Sequence, residues 1–290
     1  MPKPKAYSKT SKNLSEKQKF LSELILMDDI FIRIVLKDRK CTEFILQTIL
    51  QKPDLKVKTQ SIQSDLKNLQ GRSLILDCLC SDTKGTVYNI EVQNDSHGAS
   101  PKRARYHSAL IDMHILKKGK TFETLPESYV IFICAKDILK ENKQIYHISR
   151  IIQESGKKFP DQSEIIYLNT SKSSENELGM LIKDFYTKDP KKMHSKVLAK
   201  RVADLKENKN IEKGERDAMT TYYDRLKKQW EKEGIAKGII EGKAKGSAES
   251  ESKMAKLMGF LVREGRIADI EKASESPDYR KALLQEFQLS

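Results

Sequence analysis

Asp77, Glu91 and Gln93 form the one cluster of polar side chains in the sequence whose chemistry and separation suggest a reaction centre. In Leu74-Ile75-Leu76-Asp77-Cys78-Leu79-Cys80 an acid interrupts an otherwise apolar, strand-like run. A carboxylate buried there is costly without a partner, so the position needs a reason. Period-2 alternation places Asp77 on the face shared by Ile75 and Leu79. In Val87-Tyr88-Asn89-Ile90-Glu91-Val92-Gln93 it groups Asn89, Glu91 and Gln93 on one face. Tyr88, Ile90 and Val92 take the other, the expected core face. If the two runs are neighbours, two carboxylates and an amide converge.

Such a cluster suits a hard divalent cation. Mg²⁺ takes oxygen ligands, keeps several waters, and uses one or two carboxylates plus a substrate phosphate. The bound ion acidifies its water and stabilises a phosphodiester under in-line attack. It also relieves the repulsion between two close carboxylates. The structural alternative pairs Asp77 with a nearby arginine and leaves Glu91 solvated.

Several elements must position these residues. Residues 31–36 and 42–51 carry helical apolar spacing, with Asp28 or Asp29 as the expected cap of the first helix. Residues 57–62, 72–80 and 86–93 read as strands. The last two are joined by the turn-rich Ser81-Asp82-Thr83-Lys84-Gly85, which predicts a hairpin. Ser100-Pro101 opens a helix as N-cap and first residue, and Gly119 is the expected left-handed stop. Residues 128–135 form a continuous apolar run, the pattern of a strand buried on both faces, and residues 164–168 read as a further strand. The fold class is α/β. Helix, three strands, helix, strand make the core, and a helical extension follows.

The ordered set resembles a known family. Asp77, the turn and Asn89-Ile90-Glu91-Val92-Gln93 are similar to the active-site hairpin of the PD-(D/E)XK nuclease superfamily. The branch they resemble is the PD-(D/E)XK nuclease family transposase, or recombination-promoting nuclease. Asp28-Asp29-Ile30-Phe31, Gly71-Arg72-Ser73-Leu74, the basic run from Pro101 to Ser108 and Gly119-Lys120-Thr121-Phe122-Glu123-Thr124-Leu125-Pro126 resemble its other segments in order. The resemblance covers about residues 27–205. It implies a restriction-endonuclease-like core that cuts double-stranded DNA with Mg²⁺, with Mn²⁺ as a substitute. Asp77 and Glu91 would be metal ligands, Gln93 would hold the third motif position, and Asp28 or Asp29 would be the supporting acid. Leu76 replaces the motif's proline and Gln93 its lysine. An amide cannot act as a general base near neutral pH. It can orient the attacking water or hold a phosphate oxygen, and the resembling branch also reads Glu-x-Gln. The alternative on the same fold is a catalytically inactive DNA-binding or interaction protein. An RNA-directed enzyme has no RNA-binding motif to support it.

The helix after the hairpin supplies cations. Lys102, Arg103 and Arg105 lie in its first turns and are the expected DNA-phosphate contacts. Guanidinium forks match phosphate oxygens, and such binding is salt-dependent. The structural alternative has Arg103 or Arg105 neutralising Asp77 or Glu91. Cations at a helix N-terminus call for an anion nearby. His107 and His114 are seven apart, too far to chelate one metal, and are expected in packing.

Composition agrees with this partner. The 54 Lys+Arg against 41 Asp+Glu leave a net charge of +13, which makes nucleic acid the first partner to consider. Lys-rich composition alone is the competing explanation. No apolar run approaches the roughly 18 residues of a membrane span. No secretory pattern opens the chain, and four scattered cysteines make no disulfide framework or zinc motif. A cytoplasmic protein is expected. Residues 1–19 read as a basic flexible arm, 20–170 as the nuclease-like core, 171–205 as a helical extension packed on it, and 206–290 as a charged, glycine-containing helical tail. Gly234, Gly238, Gly242 and Gly246 recur every four residues along that tail, so a homodimer through it is one reading and a frayed polar helix the other.

Overall fold

The structure is a computed structural model that describes residues 8–68, 71–95 and 97–289. The chain forms two compact units, residues 1–223 and 224–290.

In the first unit α1 (Ser8–Glu23), α2 (Asp29–Val35) and α3 (Arg39–Leu50) precede β1 (Val57–Leu66), β2 (Leu74–Asp82) and β3 (Val87–Gln93). Then come α4 (Pro101–Ile115), β4 (Ser128–Cys134), β5 (Ile145–Ile148), β6 (Ser163–Asn169), α5 (Glu177–Tyr186) and α6 (Lys196–Lys206). α7 (Lys213–Arg263) starts in this unit and continues into the second, which adds α8 (Ile267–Glu275) and α9 (Pro277–Glu286). Among the described residues the strands form one sheet in the order β1-β2-β3-β4-β6-β5. β1, β2 and β3 are antiparallel, β3, β4 and β6 parallel, and β5 is an antiparallel edge.

Both faces of the sheet are covered. Tyr88, Ile90, Val92, Ile131, Ile133, Ile166 and Leu168 pack in one core with apolar residues of the N-terminal helices, α5 and α6. Val130, Phe132, Cys134 and Tyr167 pack on the other side with Ala104, Leu110 and Ile111 of α4. The unbroken apolar runs of β4 and β6 follow from this two-sided burial.

The hairpin and the strand at 128 sit where the sequence predicts them. The turn between β2 and β3 is held by Asp82, whose Oδ1 accepts Lys84 N–H and Thr86 N–H at 2.9 Å each, with Gly85 at φ 91°. Ser100 caps α4 by accepting Arg103 N–H at 3.3 Å, with Pro101 in its first turn.

Four expectations change. The chain is already helical from Ser8, so α1 replaces most of the expected basic arm, and residues 1–7 lie outside the described residues. α4 ends at Ile115 because Leu116 turns extended, at ψ 107°. Gly119 does take a left-handed φ of 82°, in the following turn. Asp28 occupies the N-cap position of α2 without making a cap bond. β5 is an element the sequence reading misses: four residues with one buried side chain carry too short a pattern.

Candidate active site

β2 and β3 part company at the site. Their ladder runs from Ser81–Val87 to Cys78–Ile90 and stops there. On the other edge β1 pairs Ile62 with Cys78 and Ser64 with Leu76, while Gln63 between them adopts φ 54°. Leu74 and Leu76 lie in the α4-side core, yet Cys78 and Cys80 lie in the opposite one. Residues two apart on a regular strand share a face. β2 therefore turns over at Asp77. The simple alternation that groups Asp77 with Ile75 and Leu79 does not survive this turn. Ile75 is 61% exposed whereas Asp77 is buried.

The opened ladder leaves main-chain donors, and the two acids take them. Asp77 N–H donates to Glu91 Oε1 at 3.3 Å, and Val92 N–H donates to Asp77 Oδ2 at 3.2 Å. Asp77 and Glu91 are thus brought together, as predicted. Glu91 is 1% exposed. Burial, and next the charge of Asp77, push its carboxyl up to about 8. Burial also raises Asp77, against the opposing pull of Arg33.

Two cations approach this pair. Arg33 of α2 donates through Nε to Asp77 Oδ1 at 2.9 Å and through Nη2 to Asp29 Oδ1. Arg103 of α4 brings Nη2 to 3.9 Å from Glu91 Oε2. Its Nε donates to His107 Nε2 at 3.2 Å. Burial and then Arg103 lower His107 to about 4, so the ring is neutral near pH 7. Its Nδ1 lies 3.7 Å from Glu91 Oε1 and 3.2 Å from Asn89 Nδ2.

The other predicted residues divide. Gln93 sits at the end of β3, its amide oxygen filling the space a side chain at Gly98 would need. Asp29 reaches the site through Arg33. Asp28 does not: its Oδ2 accepts Ile25 N–H at 2.7 Å, and burial raises its pKa. Lys102 and Arg105 are exposed on α4. Arg33 is the site residue that sequence reasoning missed, while His107 packs against Phe132 as expected and also lies beside Glu91. Arg33 is a charge inside an apolar helical run and stands four residues after Asp29, and His107 stands four after Arg103. That spacing puts each pair on one helix face.

The donor set fits a divalent cation in kind, with two hard carboxylates held side by side and both raised by burial. Among the described residues no group of three or more Asp, Glu, His or Cys side chains makes a ready metal shell. Waters and substrate oxygens would have to complete it.

A mixed sheet whose central strands diverge at an acid on each, flanked by helices on both faces, is a PD-(D/E)XK nuclease-like fold. The chain belongs to the PD-(D/E)XK nuclease family transposases, whose model matches residues 42–236. That match places it in a nuclease-type family, and nucleases of this type generally use divalent metals such as Mg²⁺. No curated protein and no solved structure matches the chain.

Proposed function

We propose that this protein is a Mg²⁺-dependent endonuclease acting on double-stranded DNA, linked to mobile elements or recombination as its family description implies. The observation that carries the reading is the reciprocal pairing of Asp77 and Glu91, each carboxylate taking a main-chain N–H beside the other. Asp77 and Glu91 would hold the ion, with Mn²⁺ as a substitute. A bound ion supplies an acidified water and charge stabilisation at the phosphodiester. His107 and Asn89 line Glu91 on the α4 side. Arg103, whose Nη2 lies 3.9 Å from Glu91 Oε2, would meet a phosphate docked beside the ion, and exposed Lys102 and Arg105 extend that charge along α4. Gln93 has no proton to exchange near neutral pH, so its part is to orient water or a phosphate oxygen. A cytoplasmic location and a homodimer through the charged helical tail complete the proposal.

A second reading keeps the fold and drops the chemistry: a DNA-binding or interaction protein. Gln93 at the lysine position and Arg33 on Asp77 favour it. Plasmid cleavage separates the two. Wild type should nick supercoiled DNA with Mg²⁺ and not with EDTA. Asp77→Ala should lower the rate by about a hundredfold or more, since the several kcal/mol of charge stabilisation leaves with the ion. Equal nicking by wild type and Asp77→Ala, or none with any divalent metal, would leave the second reading standing.

A further inference from the structure

Arg33 raises a problem for any ion that is to bind Asp77. Asp77 Oδ2 accepts Val92 N–H at 3.2 Å and Oδ1 accepts Arg33 Nε–H at 2.9 Å, so a guanidinium already sits on the carboxylate that would ligate. A guanidinium and a dication on one carboxylate repel each other strongly where water is scarce. The same guanidinium has a second anchor. Asp29 lies one helical turn earlier on α2, so the Asp29–Arg33 pair needs no other element, whereas Arg33–Asp77 bridges α2 to β2. The anchors differ in surroundings: the Asp29 side chain is 48% exposed and that of Asp77 is 8% exposed. The family match begins at residue 42, beyond α2, and assigns nothing to Arg33.

Resting on the metal-site reading above, we propose that Arg33 is a displaceable counter-ion of Asp77. In the metal-free protein it compensates the buried carboxylate and orients it. When a divalent ion arrives, the guanidinium gives up Oδ1 and retires onto Asp29. Arg33 is therefore a positioning residue that competes with the metal, and Asp29 is its parking place. The supporting acid of α2 then acts through Arg33 rather than on the ion.

Calorimetric titration of Mn²⁺ into the EDTA-stripped full-length chain tests this. Arg33→Gln should bind Mn²⁺ about tenfold more tightly than wild type, the equivalent of one charge-assisted hydrogen bond no longer displaced. Arg33→Lys, which keeps a cation, should fall back toward wild type. Asp29→Asn removes the parking place and should bind about threefold more weakly. A fixed structural role for Arg33 predicts no tightening, so unchanged or weaker binding by folded Arg33→Gln overturns the inference. If circular dichroism shows that Arg33→Gln does not fold, Asp29→Asn decides, and an unaltered affinity there overturns it. Asp77→Ala separates the two levels. Binding lost in Asp77→Ala but indifferent to Arg33 sinks the counter-ion alone, while Mn²⁺ binding that survives Asp77→Ala sinks the metal-site reading beneath it.

Discussion

Glu91 is a carboxyl with almost no water around it, and that fixes how the site should respond to pH. Its pKa is raised to about 8, above the value near 4.5 of an exposed glutamate. A raised acid binds more protons in the folded than in the unfolded state between those values. Stability from this group is complete below the unfolded value and is lost as pH rises through the folded one. His107 works the other way but over lower pH, since its folded pKa of about 4 lies below its ordinary 6.5. In EDTA the melting temperature should therefore fall from pH 6.5 to 8. Glu91→Gln should flatten that slope, and an equal slope in both proteins would show that Glu91 ionises normally. Asp77 was legible as a residue because a lone acid in an apolar run is conspicuous. Its orientation was not, because alternation assumes a regular strand and β2 turns over there.

Each element is fixed by local features that single substitutions can probe. α5 starts with Asn176 accepting Gly179 N–H at 2.9 Å. A Cβ at Gly179 would lie 1.8 Å from Ser174 O, a main-chain atom with nowhere to go. Replacing an interior helical glycine by alanine ordinarily gains up to about 1 kcal/mol. Here the clash should win, and Gly179→Ala should destabilise by about 1–3 kcal/mol in urea unfolding. A gain in stability would mean that the Ser174 loop relaxes freely. α6 is tied to the N-terminal helices by Lys206, whose Nζ donates to Ser22 O at 2.8 Å, Leu24 O at 2.7 Å and Lys188 O at 2.6 Å. This anchoring sets the entry into α2, the helix that carries Asp29 and Arg33. The sequence reading placed α2 and the helical extension but not most of α1, and a lysine caged by three carbonyls has no local signature.

At the scale of the molecule, α7 is the feature that composition misjudges. Four glycines, each costing about 1 kcal/mol in a helix interior, argue for fraying. The chain instead runs as one 51-residue helix, and a Cβ added at Gly234, Gly238, Gly242 or Gly246 would meet nothing. Its beginning belongs to the nuclease-like unit, where Met219 and Tyr223 are buried and Glu215 pairs with Arg201. Its end closes a small helical unit around Leu257, Leu261, Ala273 and Leu283. Exposed Ile235, Ile239 and Ile240 lie between. If this stretch joins two copies, as proposed, a chain ending at Tyr223 should be a monomer in light scattering while the full chain is a dimer. Cutting at the expected start of the tail, residue 206, would instead take Glu215 and Met219 out of the first unit. Equal association states would remove the tail from the account.

The α/β class, the hairpin, the capped α4 and the two acids can be read along the chain, because each is written in periodicity, turn chemistry or a charge out of place over a few neighbouring residues. Folding alone reveals that Asp29 rather than Asp28 contacts Arg33, that Arg33 stands on Asp77, that His107 lies beside Glu91, and that β2 reverses its faces. Those depend on side chains 14 to 44 positions apart meeting in space, and a contact over such a separation leaves no trace in local spacing.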